Sequence, residues 1–234
     1  MAQPARHAGA TGRTVILMGE HPGARAAARR VLHAFPERLR AGDTAGILGA
    51  VIGEEFAGVL AAAQEGSEVA FSRLWRDSNP ALLRYLRVIA PQAAEDVAAE
   101  TWLQVVRGLA GFRGTEQGWR AWLFTTARRR AIDEARRRSR RPEKALEETL
   151  PGRLPVSPDT ADLALEHVDT RSALSLVASL PAHQAEVILL RVVAGLDNET
   201  VARLLGRSPG AVRVAAHRGL RRLAGILAEA DVTL

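Results

Sequence analysis

Apolar residues recur at helical spacing in two separate parts of the chain. The first part begins at residue 67 and contains three such segments in succession. Asn79 and Pro80 are predicted to divide the first segment into two helices. The second segment runs over residues 91–109 and the third over 115–141. This pattern predicts one helical domain over residues 67–141.

The second part follows a stretch rich in proline. Residues 142–169 contain four prolines and more acidic than basic side chains, which predicts a flexible linker. A second helical domain is predicted over residues 170–228, before a short tail at 229–234. Its four helices are expected at residues 170–179, 181–194, 197–205 and 209–228.

The residues before position 67 show no sustained period. Gly, Ala, Arg and Pro alternate there, and Pro22 and Pro36 exclude a long helix, although short helices at 24–32 and 44–63 fit the pattern. Residues 1–66 are therefore predicted to form an N-terminal extension, either a regulatory segment or a disordered tail.

The amino-acid composition indicates the fold class and the cellular compartment. Alanine and leucine dominate and aromatic residues make up only 4%, so we expect an all-α protein with two small helical domains. The chain has no cysteine, which excludes disulfides and fits a reducing compartment. No apolar run is long enough for a membrane span, so we expect a cytoplasmic protein without membrane insertion.

The last two predicted helices carry the signals of a helix-turn-helix. Asp197 is a good N-cap for the first, and Gly206 can end it in a left-handed conformation. Ser208 then caps the second helix, which begins with Pro209. Such a helix can enter the major groove of DNA, or it can be a basic surface that touches no DNA. Its outward face carries Arg213, His217, Arg218, Arg221 and Arg222.

One side of the helix at 91–109 is polar. Val97, Trp102, Val105 and Leu109 supply the opposite, apolar side. Spacing alone allows either a solvated face or a partner site. The residues on the polar side are Asp96, Glu100, Gln104 and Arg107.

The segment at 118–141 combines aromatic rings with a dense positive charge. Trp119, Trp122 and Phe124 precede eight arginines between positions 128 and 141. Basic side chains beside aromatic rings suit the binding of unpaired nucleic-acid strands. Alternatively, the three aromatic rings are part of the core of the helical domain.

Two sets of residues, in order along the chain, resemble a known family. Residues 94–102 (AEDVAAETW) and 119–133 (WRAWLFTTARRRAID) are similar to region 2 of extracytoplasmic-function sigma factors, which belong to the sigma-70 family. Residues 180–191 (LPAHQAEVILLR) and 210–218 (GAVRVAAHR) are similar to region 4 of these factors. The resemblance implies a protein that directs RNA polymerase to promoters and is not an enzyme.

The resemblance also implies partners and contacts. The acidic helix, with Asp96, Glu100, Gln104 and Arg107, would dock on the clamp coiled coil of the largest subunit of core RNA polymerase, and the polymerase flap is a second expected contact. Residues expected at the −10 promoter element are Arg113, Trp119, Arg120, Arg128, Arg129, Arg130, Arg136 and Arg137. Residues expected at the −35 element are Ser208, Arg213, His217, Arg218, Arg221 and Arg222. An anti-sigma protein is a further plausible partner, while no cofactor or metal is expected.

Two positions depart from the family pattern, and one other class of protein shares part of it. Ala99 stands where many relatives carry Gln, and Arg129 where many carry Asn. A conventional repressor or activator could use the same helix-turn-helix, but it would leave the region 2 motifs unexplained. An enzymatic function has no support in the sequence, which contains no glycine-rich phosphate-binding loop and no nucleophile motif.

Overall fold

The structure is a computed structural model that describes residues 52–140, residue 171 and residues 173–232, with side chains as far as residue 228. Every regular element in these residues is helical, which confirms the predicted all-α fold with two helical domains. None of these helices combines the length and the apolar character that a membrane span needs. The predicted linker at 142–169 and the possible helix at 24–32 lie outside the described residues.

The central unit, residues 52–140, contains four α-helices. Ser67 and Thr115 cap the second and fourth of them, because each side-chain oxygen accepts a hydrogen bond of 3.3 Å from the backbone N–H three residues later. After a 3-10 turn at Gly53–Glu55, the helices are α1 (Phe56–Gln64), α2 (Glu68–Ile89), α3 (Ala94–Leu109) and α4 (Glu116–Ser139). The predicted helices at 91–109 and 115–141 are thereby confirmed.

The core of the central unit includes residues that precede the predicted boundary at residue 67. Phe56 and Leu60 of α1 are buried in its core. The Gln64 amide donates hydrogen bonds of 2.9 and 2.8 Å to two backbone carbonyls at and beyond the end of α3. Residues 52–66 therefore pack as part of the central unit, while residues 1–51 of the predicted extension are not among the described residues.

The prediction that Asn79 and Pro80 divide the first segment into two helices is wrong. α2 is continuous, with Pro80 inside it and exposed to solvent. Leu74 and Leu82, on either side of the proline, are fully buried in the same core. This shared burial holds the helix together although proline removes one backbone hydrogen bond. The Asn79 side chain accepts a hydrogen bond of 2.9 Å from the Trp102 indole on α3.

An indole ring fills the centre of the central unit. Trp119 of α4 is 1% exposed, and its Nε1–H donates a hydrogen bond of 3.0 Å to the Ser78 hydroxyl on α2. Because the surrounding rings come from α1, α3, the loop after α3 and α4 itself, Trp119 joins all parts of the unit. These rings lie at centroid distances between 5.6 and 6.5 Å and belong to Phe56, Trp102, Phe112 and Trp122.

The C-terminal unit, residues 171–232, contains the four helices predicted for the second domain. The first, α5, spans residues 173–178. The second, α6 (Ala182–Ile188), continues into a π-helical turn at Leu189–Val193. α7 (Asn198–Leu205) and α8 (Pro209–Val232) follow.

The predicted caps of the helix-turn-helix are confirmed. The Asp197 carboxylate accepts a hydrogen bond of 2.7 Å from the Thr200 N–H, and Gly206 ends α7 with a φ of 63°. Burial alone would raise the pKa of Asp197, but the hydrogen bonds from Thr200 and the charges of Arg203 and Arg191 outweigh it and lower the pKa. The carboxylate is therefore ionised at neutral pH and caps α7.

α8 packs closely against α6. At Gly219 a Cβ atom would lie 2.6 Å from the Ile188 side chain, so glycine permits the approach of the two helices. The side chains that α8 turns inward are the predicted ones: Val212 and Leu223 are buried, and Ala215, Ala216 and Leu220 are half-buried against the core.

Gly108 tests how tightly α3 and α4 pack. A Cβ atom there would lie 2.8 Å from the Trp122 ring, whereas one at Gly58 in α1 would meet nothing within 4 Å. Inside helices alanine is favoured over glycine by about 1 kcal/mol. We expect Gly58→Ala to raise the free energy of unfolding by up to about that amount, and Gly108→Ala to lower it, because overpacking costs roughly 1–3 kcal/mol. Urea titrations measure both changes, and equal stabilisation by the two variants would contradict the packing described.

Candidate nucleic-acid and polymerase interface

The outer face of α3 carries the four residues predicted to bind polymerase. Two of them are exposed and two are half-buried beside α4. Glu100 lies 3.9 Å from Arg130 and 3.7 Å from Arg137. Arg130 also donates a hydrogen bond of 3.2 Å to the Gln104 side chain. The polar face of α3 is therefore continuous with the basic face of α4. The exposed pair is Asp96 and Arg107, and the half-buried pair is Glu100 and Gln104.

Two apolar side chains on the same face were not predicted as site residues. Leu103 and Val106 are 58% and 53% exposed. Exposed aliphatic side chains beside a charged stripe are typical of protein-binding surfaces. The helical period could have revealed them, because both positions fall outside the buried side of α3.

The arginines in the second half of α4 form a basic row. Arg128 donates a hydrogen bond of 2.8 Å to Glu186 of the C-terminal unit, and Arg137 lies 3.7 Å from Glu134. Arg129 and Arg136 are exposed and make no ion pair with any residue that the structure describes. The predicted −10 residues of this row thus lie close together in the second half of α4 but face different neighbours: Arg128 faces the C-terminal unit, Arg130 faces α3 and Arg129 faces solvent. The other two members of the row are Arg136 and Arg137.

The other three predicted −10 residues are held by the protein itself. Trp119 lies in the core, so its assignment to opened DNA stays a prediction that requires the ring to leave its pocket. The Arg113 guanidinium donates hydrogen bonds of 2.8 and 2.7 Å to backbone carbonyls of its own loop. Arg120 lies 3.3 Å from Asp77 and 3.0 Å from Glu116.

Asp77 explains why Arg120 is held. Burial raises the pKa of Asp77, the Arg120 charge lowers it, and the Glu116 charge raises it again. Its Oδ1 atom has no hydrogen-bond partner among the described residues, and its Oδ2 atom contacts Arg120. Moving Arg120 to DNA would leave a buried carboxyl group without its counter-charge, which is costly.

The exposed face of α8 carries the predicted −35 residues. Ser208, also predicted there, caps the helix: its hydroxyl oxygen accepts a hydrogen bond of 3.2 Å from the Ala211 N–H. The left-handed Gly206 and this cap set the tight turn between α7 and α8. The side chains on the exposed face are Arg213, His217, Arg218, Arg221 and Arg222.

Val214 is a further residue on that face. It is 49% exposed, and it precedes His217, Arg218 and Arg221 by three, four and seven positions, so it lies on the same side of α8. A branched aliphatic side chain among basic ones can contact the methyl group of thymine. The helical period of the sequence could have placed Val214 on this face, but only basic side chains were predicted there.

A cleft of about 660 Å³ separates α4 from α7. Part of the basic row of α4 lines one wall of this cleft, and α7, the first helix of the helix-turn-helix, lines the other. No group of side chains suited to a metal ion occurs in the part of the chain that the structure describes. The residues lining the cleft include Gln104, Trp122, Arg129, Arg130, Thr200 and Arg203.

Family comparisons match both units. The model of sigma-70 region 2 matches residues 74–141, and the model of sigma-70 region 4 matches residues 170–223. Among solved structures, the chain is similar to CnrH in complex with the cytosolic domain of CnrY. That similarity has a TM-score of 0.49 and 23% identity, and it covers 75% of this chain and 99% of that one.

Curated relatives extend the match over most of the chain. The sigma factor SigD of Mycobacterium tuberculosis is 33% identical over 177 residues, which cover 73% of this chain and 83% of SigD. ShbA of Streptomyces griseus is 35% identical over 170 residues, which cover 69% of this chain and 89% of ShbA. Both are extracytoplasmic-function RNA polymerase sigma factors. With both of its helical units matched, in this order and over these lengths, the chain belongs to the extracytoplasmic-function group of the sigma-70 family.

Proposed function

We propose that this sigma factor binds core RNA polymerase through the outer face of α3 and contacts promoter DNA through the basic faces of α4 and α8. Sigma factors recruit polymerase to promoters and in general catalyse no reaction themselves. The observation that carries the proposal is the adjacency of the α3 face and the α4 row, which Glu100 and Gln104 join. Polymerase bound to the α3 face would hold promoter DNA next to the arginines of α4. We therefore expect the protein to act in the cytoplasm, where RNA polymerase is found.

The α3 face combines features of a protein interface. Leu103 and Val106 supply exposed apolar area, and Asp96 and Arg107 supply exposed charges beside them. Exposed apolar side chains bordered by charged ones are typical of surfaces that bind another protein. We propose the clamp coiled coil of the largest polymerase subunit as its partner, with the flap contacting the C-terminal unit. An anti-sigma protein that covers the same face would compete with polymerase.

The α4 row is suited to the −10 element. Arg129 and Arg136 are exposed and unpaired among the described residues, and Arg137 makes only long ion pairs near the surface. Such pairs are worth little, about 0–1 kcal/mol, so phosphates can replace the carboxylates at small cost. These arginines therefore supply backbone contacts that hold opened DNA against the central unit.

The α8 face is suited to the −35 element. Its position after a capped α7 and a left-handed Gly206 matches the second helix of a helix-turn-helix, which enters the major groove. Arg213 and His217 lie toward the start of this helix, where base edges are contacted, and Arg222 lies farther along. We therefore assign base contacts to the first pair and a phosphate contact to Arg222.

The α3 face is tested by a double substitution, Asp96→Asn with Glu100→Gln. We expect affinity for core polymerase to fall about tenfold or more, because interface charges contribute roughly 1–3 kcal/mol each when desolvated. Fluorescence anisotropy of the labelled protein measures the change. The matched control is Glu65→Gln with Glu68→Gln, which neutralises two exposed acids that do not belong to α3. Equal affinity of the folded double variant and its control would reject this docking face.

Arg213 and Arg222 separate base reading from phosphate binding. Arg213→Ala should relax selection at one position of the −35 element, at a cost of about 1–3 kcal/mol on the preferred promoter only. Arg222→Ala should weaken binding to all promoters alike and reduce the salt dependence by about one released ion. Competition binding across a library of −35 sequences at several salt concentrations measures both. Identical effects of the two variants on every sequence would refute the assignment.

Val214 has a test of its own. Replacing each thymine of the −35 element in turn by deoxyuridine removes one methyl group and leaves the hydrogen-bonding edge intact. At one position we expect the wild-type protein to lose about 0.8 kcal/mol, roughly three- to fourfold in affinity. Val214→Ala should bind thymine and deoxyuridine equally there. If the wild-type protein is insensitive to deoxyuridine at every position, Val214 reads no methyl group.

A further inference from the structure

The two units meet at a carboxylate that serves two partners. Glu186 of α6 accepts a hydrogen bond of 2.8 Å from the Arg128 Nε–H and one of 3.0 Å from the Tyr85 hydroxyl, both on its Oε1 atom. The side chains of Arg128 and Glu186 are 28% and 16% exposed, and Tyr85 is fully buried. A half-buried ion pair with a buried hydroxyl donor is a better-defined contact than an exposed pair.

A second contact lies beyond the first. The Gln117 amide at the start of α4 donates a hydrogen bond of 3.3 Å to the Gly195 carbonyl, in the loop before α7. Between these two points, Thr200 and Arg203 of α7 face the α4 side of the cleft. The C-terminal unit therefore contacts α4 at Gln117 and at Arg128, with the cleft between these two points.

The state of Tyr85 fits this arrangement. Burial raises the pKa of Tyr85 well above its ordinary value, the Glu186 charge raises it further, and the Arg128 charge offsets part of the rise. The hydroxyl therefore keeps its proton and can only donate to the Glu186 carboxylate. The tyrosine ring also packs edge-on against Phe124, at a centroid distance of 5.4 Å, which fixes the hydroxyl in place.

We propose that the C-terminal unit docks on the DNA-binding face of the central unit. In this docked form the Glu186 carboxylate binds Arg128 at the position that a promoter phosphate would otherwise occupy. Carboxylates and phosphates accept the same charge-assisted hydrogen bonds from a guanidinium group. The docked form is thus closed to DNA at Arg128. The inference rests on the proposed function only in assigning Arg128 to DNA.

The spacing of promoter elements requires the docked form to open. The −10 and −35 elements lie about 25 base pairs apart by name, which is roughly 85 Å along a duplex with 3.4 Å per base pair. Units joined within hydrogen-bonding distance cannot contact both elements at once. The sequence between the units, residues 142–169, is long enough to span roughly 90 Å when fully extended. Promoter binding and the Glu186 contact therefore exclude each other.

The docked form can be measured by energy transfer between two dyes. The chain has no cysteine, so Val69→Cys on α2 and Ala224→Cys on α8 place dyes at two unique, exposed sites in the full-length protein. The test variant is Glu186→Gln, which keeps the side-chain size and removes the charge. The matched control is Glu199→Gln, an exposed acid on α7. Tyr85→Phe, which keeps the ring and removes the hydroxyl, is a second test variant if Glu186→Gln fails to fold.

We expect high energy transfer in the parent protein and in Glu199→Gln, and a lower closed fraction in Glu186→Gln. A short fluorescein-labelled DNA single strand of mixed sequence should bind Glu186→Gln several-fold more tightly than Glu199→Gln. Because both variants lose one negative charge, a general electrostatic gain is the same for the two.

Three outcomes would overturn the inference. Low transfer in the parent protein would show that the units do not dock. Unchanged transfer in both test variants would show that Glu186 and Tyr85 do not hold them together. Opening without tighter binding of the strand, relative to Glu199→Gln, would show that docking masks no DNA surface. Failure of the proposed function has a separate readout, the absence of promoter-specific initiation with core polymerase, whatever the transfer.

Discussion

The indole of Trp119 lies where all parts of the central unit meet, and the positions of the outer faces depend on its burial. It packs among rings from α1, α3 and the loop after α3, and it donates its hydrogen bond to Ser78 on α2. Once this ring is buried, α3 and α4 can turn only their remaining sides outward. The acidic face of α3 and the arginine row of α4 therefore lie side by side as a consequence of core packing.

The arginine row would repel itself if it stood alone. Carboxylates from three different helices reduce that repulsion: Glu100 from α3, Glu134 from α4 and Glu186 from α6. The first two pairs are long and near the surface, while the third is short and half-buried. The row is thus partly neutralised by carboxylates of the protein itself. Arg120 differs, because its partner Asp77 is buried and makes no other ion pair with the residues that the structure describes.

Local signals in the sequence were sufficient for much of the fold. The caps at Asp197 and Gly206 and the buried sides of α3 and α8 follow from residue type and helical period, and the structure confirms them. The predicted break at Pro80 is wrong because burial of the helix on both sides of the proline outweighs its local effect, and this burial depends on the tertiary structure. α1 was not separated from the extension because its many alanines and glycine give a weak pattern.

Contacts between distant parts of the chain could not be read from the sequence. Arg128 and Glu186 are far apart along the chain, and nothing in the pattern of either helix indicates that they meet. Exposure likewise distinguishes residues of identical type: Arg129 is open to solvent, while Arg120 is enclosed by two acids. The sequence therefore indicates the set of basic side chains, and the structure separates the exposed ones from those engaged in the fold.

Transcription in vitro tests the central claim most directly. Core polymerase from the source organism is supplied with fragmented genomic DNA, with and without this protein, and the 5′ ends of the RNA are sequenced. The account predicts new start sites that depend on the protein and share two upstream motifs, at the −10 and −35 positions. Core polymerase that binds the protein yet begins no RNA at new sites would contradict it.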